Sequence, residues 1–373
     1  MNKKFLSLLM LTALLGVTVT GCTAATGQAS SWPGYTISEE VGFFAYGPQV
    51  YALDLKNGSQ LWRYPQESGA NRQFFAAPAL GEDILVVGDY ANTLVALDAA
   101  NGTEKWSFKA ADDRYIASAL VFEGSVFAPN TDHYLYALDE TGSLVWRFET
   151  QGPNWTKPMT DGKKLYMISM DHYLYAFNLE YVLDRLTEDK DGSRTLLSEP
   201  EWSLDLGAAV TADPVLADGF IYAGTLDGTL YAVDLSKQAI AWSFDADDGM
   251  TSLWGNPVLT ADTVYIGDET GNVYAVSKTD GKALWPAPFA AGSSLISGGV
   301  ALEDQVIFAT KAGKVFSINT NKEPRTLATF DSPIYATLKI AGDKLIIAPA
   351  NKEALFKAID INGNETWGFL PND

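Results

Sequence analysis

The sequence VALDAANGTEKW, which runs from Val95 to Trp106, contains the motif on which the chain is built. A short apolar run ends at Asp98, an Asn-Gly pair follows at 101–102, and a Trp stands in the next run. Runs of this kind, in which apolar positions recur with a period of two, are typical of β-strands. The Asn-Gly pair supplies the positive φ that a tight hairpin requires. The motif therefore predicts two antiparallel strands joined by a short turn.

The same motif returns along the chain at a nearly constant interval. Its turn residue stands at positions 54, 98, 139, 178, 234, 277, 319 and 360, with intervals of 39 to 44 residues except for one of 56. The second repeat holds four short runs, AAPAL, DILVVGDY, NTLVALD and TEKWSF. A period of about 42 residues with four strands is typical of propeller blades. The sequence therefore predicts an all-β fold over residues 32–373, an eight-bladed β-propeller of four-stranded antiparallel blades.

A Trp recurs at one position of the fourth run. Seven of the eight repeats carry it, as Trp62, Trp106, Trp146, Trp202, Trp242, Trp285 and Trp367, and Leu327 replaces it in the seventh. Such a ring is expected to fill the wedge between neighbouring sheets and to donate its indole N–H to a backbone carbonyl. We therefore assign these residues a structural role. The sequence leaves open whether residues 32–34 cross over to complete the eighth blade.

The spacing Ala-x-Asp-x-x-x-Gly-x-x-x-Trp is similar to the repeat of the pyrroloquinoline-quinone (PQQ) propeller family. Ala52, Asp54, Gly58 and Trp62 match it in full, and so do the corresponding residues 96, 98, 102 and 106. The fifth repeat lacks the Gly, and the seventh has lost most of the motif. The resemblance implies the propeller fold over residues 32–373. It does not imply the cofactor, because many members of the family bind no quinone.

The N-terminus has the pattern of a bacterial lipoprotein signal. Lys3 and Lys4 precede an apolar stretch that is too short for a membrane span, and the stretch ends in Val-Thr-Gly-Cys at 19–22, which resembles a lipobox. We predict a signal peptide at 1–21, a diacylglycerol-modified and acylated Cys22, and a flexible tether over 22–31. The protein is then expected in the bacterial cell envelope, outside the cytoplasm and anchored by lipid. The sequence does not distinguish an inner membrane, an outer membrane or the surface of a monoderm cell.

Charge and composition exclude several classes of function. The chain of 373 residues carries 26 Lys and Arg against 46 Asp and Glu, a formal net charge of −20. An acidic surface repels phosphate backbones, so nucleic acid is not an expected partner. A single Cys rules out an intramolecular disulfide and a Cys-based metal site, and two His argue against a His-based metal centre.

An insertion at about 179–200 interrupts the fourth repeat. Leu179, Val182, Leu183 and Leu186 follow the spacing of an amphipathic helix. The insertion is interpreted either as a protruding element that binds a partner or as a tolerated loop. A calcium loop is disfavoured, since Thr187 stands at the first ligand position and no Glu follows at the twelfth.

Two groups of residues are candidates for a ligand or partner face. His133 and His172 occupy the same hairpin tip in consecutive repeats, either as a pH-sensitive contact patch or as the result of duplication. The segments that return to the inner strands carry aromatic residues, which are Phe74, Phe75, Tyr115, Trp155, Trp254 and Tyr335. A mouth lined in this way would suit a peptide strand or a small planar ligand, and packing at the rim is the alternative.

No residue is predicted to be catalytic or to bind a cofactor or metal. Quinoprotein dehydrogenases of the resembling family are longer and use a vicinal disulfide and a calcium ion, whereas Cys22 is alone and the Asp residues of the repeat are turn residues. Length, lipobox and eight repeats together resemble the BamB family of outer-membrane assembly factors. The resemblance implies a non-catalytic scaffold that binds envelope proteins, including the β-barrel assembly machinery. The alternatives are a PQQ-dependent dehydrogenase or quinone sensor, and a surface lipoprotein that binds glycan or another substrate.

Overall fold

The described chain is built almost entirely of short antiparallel strands. The computed structural model describes residues 33–67, 72–188, 196–197, 199–246, 249–303, 305–349 and 354–371. The predicted signal peptide, Cys22, the tether and Trp32 lie outside the described residues. Within these ranges no helix has the length and apolar character that a membrane span requires.

The first four blades occupy residues 34–205. Blade 1 consists of β1 (Gly34–Ile37), β2 (Val41–Tyr46), β3 (Gln49–Asp54) and β4 (Gln60–Tyr64). Blade 2 consists of β5 (Ala79–Leu80), β6 (Ile84–Gly88), β7 (Leu94–Asp98) and β8 (Glu104–Phe108). Blade 3 consists of β9 (Leu120–Phe122), β10 (Ser125–Pro129), β11 (Tyr134–Leu138) and β12 (Leu144–Glu149). Blade 4 consists of β13 (Met159–Thr160), β14 (Lys164–Ile168), β15 (Tyr173–Asn178) and β17 (Trp202–Asp205).

The other four blades repeat this order without interruption. Blade 5 consists of β18 (Val215–Ala217), β19 (Phe220–Gly224), β20 (Leu230–Asp234) and β21 (Ala239–Phe244). Blade 6 consists of β22 (Val258–Leu259), β23 (Thr263–Gly267), β24 (Asn272–Ser277) and β25 (Phe289–Ala290). Blade 7 consists of β26 (Val300–Leu302), β27 (Gln305–Ala309), β28 (Lys314–Asn319) and β29 (Pro324–Thr329). Blade 8 consists of β30 (Lys339–Ala341), β31 (Lys344–Ile347), β32 (Phe356–Asp360) and β33 (Glu365–Phe369).

This topology confirms the eight-bladed β-propeller of four-stranded antiparallel blades. Because the four strands of a blade alternate in direction, the turns between strands 2 and 3 lie at the same end as the links between blades. We call this end the mouth face. The turns between strands 1 and 2 and between strands 3 and 4 lie at the opposite end, the far face. The two faces therefore carry different sets of loops.

The core consists of eight clusters of buried residues, each shared by two neighbouring blades. One cluster joins blades 1 and 2 through Phe43 and Trp62 on one side and Leu85 and Val95 on the other. The remaining clusters join the other neighbouring pairs around the ring. Successive side chains of each strand point to opposite faces of the blade, with the period of two that the sequence shows. Every blade is therefore buried on both faces.

The ring closes through side chains and not by an exchanged strand. Blades 1 and 8 each contain four strands of their own, so residues 33–34 do not complete blade 8. The Tyr35 hydroxyl in blade 1 donates to the carbonyls of Thr337 and Ile346 in blade 8, at 2.6 and 2.9 Å. The rings of Phe44 and Phe356 lie 4.1 Å apart across the same junction.

The recurring Trp joins each blade to the next by one repeated contact, the tryptophan latch. Its indole N–H donates to the carbonyl that follows the turn residue of the next blade, as Trp242 does to Lys278, which follows Ser277, at 2.9 Å. The same bond joins Trp62 to Ala99, Trp106 to Glu140, Trp285 to Thr320 and Trp367 to Leu55, at 2.8 to 3.1 Å. In four latches the ring lies on the turn Gly of the next blade, where a Cβ would come within 2.5 to 2.8 Å of it: Gly58, Gly102, Gly142 and Gly281.

Three junctions lack the standard latch. Trp146 in blade 3 donates instead to the Val182 carbonyl in the insertion of blade 4, at 3.1 Å. Trp202 in blade 4 has a buried indole N–H without a partner in the described chain, and Gln238 takes the place of the turn Gly in blade 5 at φ 53°. Leu327 stands in place of the Trp in blade 7. The junction between blades 4 and 5 therefore has a Trp but no latch bond.

The insertion in blade 4 begins as helix α1 (Leu179–Glu188) and lies at the far face. The Asn178 side chain accepts the backbone N–H of Tyr181 at 3.1 Å and caps the helix. Leu179 and Val182 are buried in the cluster between blades 3 and 4. Strand β16 (Leu196–Leu197) then pairs in parallel with β12. The insertion therefore covers the outer edge of blade 3, which protects that edge from pairing with another chain.

We expect Trp242→Phe to lower the free energy of unfolding by about 1–2 kcal/mol, because it leaves the Lys278 carbonyl without its donor. Trp202→Phe is the matched control, since its indole N–H has no bond to lose. We expect this variant to be less destabilised than Trp242→Phe, because both lose packed ring area but only Trp242→Phe loses a bond. Urea unfolding monitored by circular dichroism measures both. Equal losses in the two variants would show that the indole bond does not stabilise the ring.

A second pair of variants tests the contact between Trp and Gly. Gly102 and Gly162 both have positive φ, but a Cβ at Gly102 would lie 2.6 Å from the Trp62 ring, whereas one at Gly162 meets nothing within 4 Å. An Ala at either position costs about 1–2 kcal/mol for its backbone conformation. We expect Gly102→Ala to lose about 1–3 kcal/mol more than Gly162→Ala, through overpacking. Thermal melts of the two variants compare them, and similar losses would contradict the close packing.

Candidate functional site

The mouth face opens into a cavity of about 360 Å³ on the axis of the propeller. Residues of all eight blades line it, mainly from the segments that enter the first strand of each blade. These segments are held by their neighbours, as when the backbone N–H of Leu253 donates to the Thr225 carbonyl of the preceding blade at 3.2 Å. The cavity wall is therefore part of the rigid ring. Its volume suits a ligand of modest size.

The entry segments place side chains in the cavity at every second residue. In blade 6, Leu253 and Gly255 are buried while Trp254 and Asn256 line the cavity. The first lining position of each segment forms a ring that we call the collar: Phe75, Ile116, Trp155, Thr211, Trp254, Ile296 and Tyr335. Six of these seven residues are aromatic or aliphatic. The collar is therefore a largely apolar surface.

The second position lies two residues further along the strand, about 6–7 Å deeper toward the far face. We call this ring the neck: Ala77, Ser118, Asp213, Asn256 and Thr337 line the cavity, and Lys157 and Gly298 hold the same register in blades 4 and 7. The Thr337 hydroxyl donates to the Asn256 side chain at 3.0 Å. A Cβ at Gly298 would come within 1.6 Å of that Asn256 oxygen, so the bond passes over a position that must be Gly. The neck is polar, and one hydrogen bond joins blades 6 and 8 over Gly298 of blade 7.

Charged residues meet at one side of the neck. The backbone N–H of Lys157 donates to the Asp213 carboxylate at 2.8 Å. Lys339 begins strand β30, and its ammonium group lies 5.8 Å from the centre of the Tyr35 ring. Burial lowers the pKa of Lys339 below its ordinary value of 10.5, and the charge of Lys157 acts in the same direction while Asp213 opposes both. Lys339 and Asp213 therefore line the cavity of an acidic protein, and the charge of Lys157 is near enough to act on Lys339.

The structure brings four of the predicted aromatic residues together and places two elsewhere. Phe75, Trp155, Trp254 and Tyr335 belong to the collar. Phe74 and Tyr115 lie in interblade cores instead, with 0% and 1% of their surface exposed. The physical reason is the alternation of the extended chain, which turns residue 74 away from the axis when residue 75 faces it. Ile116 lines the cavity in place of Tyr115.

The two His residues stand at hairpin tips and do not line the cavity. His133 and His172 both have positive φ, 77° and 67°. Nδ1 of His172 lies 3.1 Å from an Asp205 oxygen in an exposed pair. The tips themselves are fixed by Asp132 and Asp171, which accept the hydroxyls of the Tyr residues four positions on at 2.7 Å. The His side chains are therefore carried on rigid turns around the mouth face.

The neck and Lys339 are the parts of the site that sequence reasoning missed. The aromatic residues of the entry segments stood out, but their polar neighbours two positions later did not. A comparison of the eight entry segments in register would have found them, because the alternation is the same in each blade. Lys339 lies in β30, two residues beyond Thr337, at a register where the other blades carry no charged residue.

Three features of the chain bear on whether it could hold a quinoprotein centre. Within them, no group of three or more His, Cys, Asp or Glu side chains is placed to hold a metal ion. The sequence has a single Cys, so a vicinal disulfide cannot form. The Asp residues of the repeat cap their own turns, as Asp98 does by accepting the N–H groups of residues 100 and 101 at 3.0 and 3.2 Å.

A family model described as "Outer membrane protein assembly factor BamB" matches residues 28–119, 116–181 and 198–369. The chain is similar to the BamB of Xanthomonas campestris, with 38% identity over 66 residues, 16% of each chain. It is also similar to the BamB of Legionella pneumophila, with 27% identity over 135 residues, 36% of this chain and 34% of that one. A tetrathionate hydrolase of Acidithiobacillus ferrooxidans is 27% identical over 100 residues, 26% of this chain and 19% of that one. These alignments therefore span between 16% and 34% of each relative's length.

A solved structure supports the fold over most of the chain. The crystal structure of BamB from Moraxella catarrhalis superposes with a TM-score of 0.67 at 18% identity. The superposition covers 85% of this chain and 90% of that one. At this identity the likeness shows the shared propeller architecture.

We expect Lys339→Met to flatten the dependence of stability on pH. The folded protein binds this proton less tightly than the unfolded chain does, so stability rises with pH from the lowered pKa of Lys339 up to its unfolded value of 10.5. The variant removes that contribution. Urea unfolding between about pH 8 and about pH 10 measures the slope. Lys56→Met, at an exposed turn of the far face, is the control, and equal slopes in all three proteins would contradict the burial of the Lys339 charge.

Proposed function

Because the chain belongs to the family of the outer membrane protein assembly factor BamB, we propose that it is a non-catalytic scaffold that binds envelope proteins, among them the β-barrel assembly machinery. The observation that carries the proposal is the family match, which extends over nearly the whole propeller. A propeller suits such a role, because its repeat fixes the core and leaves the loops of both faces free to vary.

The mouth face is the proposed binding surface for the partner. Its collar presents the large side chains of Trp155, Trp254 and Tyr335, each of them partly exposed. Partly exposed aromatic residues within a rigid concavity are the kind of anchor that carries most of the energy of a protein interface. The rigid ring behind them means that little ordering is needed on binding.

Two features support a role without catalysis. The repeated Asp residues use their carboxylates to cap turns, as Asp139 does for the N–H groups of residues 141 and 143, both at 2.9 Å. In the described residues, the two His side chains lie outside the cavity, so no His stands beside a nucleophile there. The tetrathionate hydrolase aligns over 26% of this chain, and we do not extend its named activity to the protein.

The location follows from the N-terminal sequence. We propose that Cys22 is lipidated after removal of residues 1–21 and anchors the propeller to a membrane of the envelope. The short polar stretch that follows would serve as its tether. Stable attachment needs more than one acyl chain, which the predicted modification of Cys22 supplies.

The scaffold function is tested by crosslinking the full-length protein in its native envelope, followed by pull-down and mass spectrometry. We expect a component of the β-barrel assembly machinery among the captured proteins. Replacement of collar aromatics, Trp155→Ala and Trp254→Ala together, should reduce its capture about tenfold or more, as loss of interface anchors does. Recovery of only abundant envelope proteins would refute the scaffold function.

A variant on the opposite face is the control for this experiment. Tyr181 is 53% exposed on helix α1 at the far face. We expect Tyr181→Ser to leave capture unchanged. Loss of capture with Tyr181→Ser and retention with the collar variant would place the partner on the far face and overturn the proposed surface. Deletion of the whole insertion is avoided, since it would remove the acceptor of the buried Trp146 indole.

A further inference from the structure

We propose that the neck of the mouth cavity is a binding site for a carboxylate, held by Lys339 and Lys157 while the apolar part of the same ligand lies against the collar. The site shares the collar with the proposed partner surface, but its test does not depend on the scaffold function, because it concerns a small ligand inside the cavity. Its chemistry follows from Lys339, a cation that lines the cavity and faces the Tyr35 ring but has no carboxylate within ion-pair distance among the described residues.

Lys339 occupies a register of the inner strand that is otherwise uncharged. It pairs with Ile346, and the residues at the same register in blades 2 to 7 are Ala79, Leu120, Met159, Val215, Val258 and Val300, with Thr36 in blade 1. An apolar residue therefore satisfies the packing of the strand. A Lys at this register brings a charge to a half-buried place at the base of the cavity, which is unfavourable unless an anion compensates it.

The protein does not supply that anion in full. Among the described residues, neither Lys339 nor Lys157 forms an ion pair with a carboxylate, although eleven such pairs occur elsewhere. Asp213 is near enough to influence Lys339 but accepts the backbone N–H of Lys157. The balance of these three groups is one positive charge, and Glu269 and Lys311, which also line the cavity, carry opposite charges that cancel in this count. The net charge of the chain is −20, so this local excess is not part of a general basic surface.

The charge balance and the walls together define the ligand class. One excess positive charge matches a monoanion such as a carboxylate, and the nearby Asp213 carboxylate would repel a dianionic phosphate. The collar adds apolar walls, so the carboxylate should be attached to an aromatic or aliphatic group. A cavity of about 360 Å³ admits a molecule of the size of one or two amino acids.

Two further donors border the same space. Nε1 of Trp155 and Oγ1 of Thr211 belong to collar residues, and both are buried without a hydrogen-bond partner in the described chain. Unpaired buried donors are unfavourable. A small rotation of either side chain toward the cavity would let a bound carboxylate accept its hydrogen. The ligand would thus satisfy donors that the folded chain leaves unpaired.

Isothermal titration calorimetry of the purified full-length protein tests the site with three probes. They are N-acetylphenylalanine, its uncharged amide, and phenyl phosphate. We expect the acid to bind and the other two to bind at least about tenfold more weakly, because each lacks the matching single charge. Equal binding of acid and amide would overturn the role of the carboxylate. Equal binding of phenyl phosphate would overturn the assignment of a monoanion, and absence of heat with the acid at millimolar concentration would overturn the site.

Variants identify the residues that hold the ligand. Lys339→Met should weaken binding of the acid about tenfold or more, and Lys157→Met should weaken it as well, while Lys56→Met should not. Near-ultraviolet circular dichroism checks that each variant is folded, and the second Lys keeps the test valid if the first variant is not. Unchanged affinity for the acid in both Lys339→Met and Lys157→Met would overturn the proposal. A tripeptide that ends in Phe, with a free or an amidated carboxyl group, distinguishes a chain terminus from a free acid as the source of the carboxylate.

Discussion

A tryptophan ring lying on the backbone of a glycine is the contact on which the ring of blades depends. It combines a large apolar area, one directed hydrogen bond and a position that admits no side chain. Neighbouring blades are thereby fixed in distance and in register at the same time. Because this contact recurs at four of the eight junctions and the indole bond at five, the geometry of the axis is set by several small constraints at the periphery. The mouth is rigid because of contacts that lie far from it.

The repeat and the number of blades could be predicted from the sequence, whereas the residues that line the axial cavity could be predicted only in part. The turn Asp, the turn Gly and the Trp stand at fixed spacings, which is enough to count eight blades and to assign Trp106 or Trp242 to packing. The entry segments have no such marker. They are short, and an error of one residue moves a side chain to the opposite face of the strand. Phe74 and Phe75 are adjacent in sequence, yet one is in the core and the other in the collar. Lys339 could not be singled out from the sequence, because its charge is unusual only in comparison with the residues at the same register in the other seven blades.

Departures from the repeat fall into two kinds. At the junction of blades 3 and 4 the helix α1 offers the Val182 carbonyl in place of the missing turn, so the departure is compensated locally. At the junction of blades 4 and 5 the Trp202 indole has no partner within the described chain, and nothing replaces its bond. The mouth shows the same distinction. Asn256 and Thr337 compensate each other across Gly298, whereas Lys339 and Lys157 are left with an unbalanced charge. Uncompensated departures mark the places where the fold has been adapted to something other than its own stability.

The closure of the ring by side chains alone has an evolutionary consequence. No strand is shared between blades 1 and 8, and each blade is a set of four strands of its own, with the one addition of β16 from the blade 4 insertion at the edge of blade 3. A gene segment that encodes one blade could then be copied or lost in frame without leaving an unpaired strand. The identical stretches DHYLYA at 132–137 and 171–176 are consistent with such a copying event between blades 3 and 4. The number of blades can therefore change one blade at a time, while the fold of each blade stays the same.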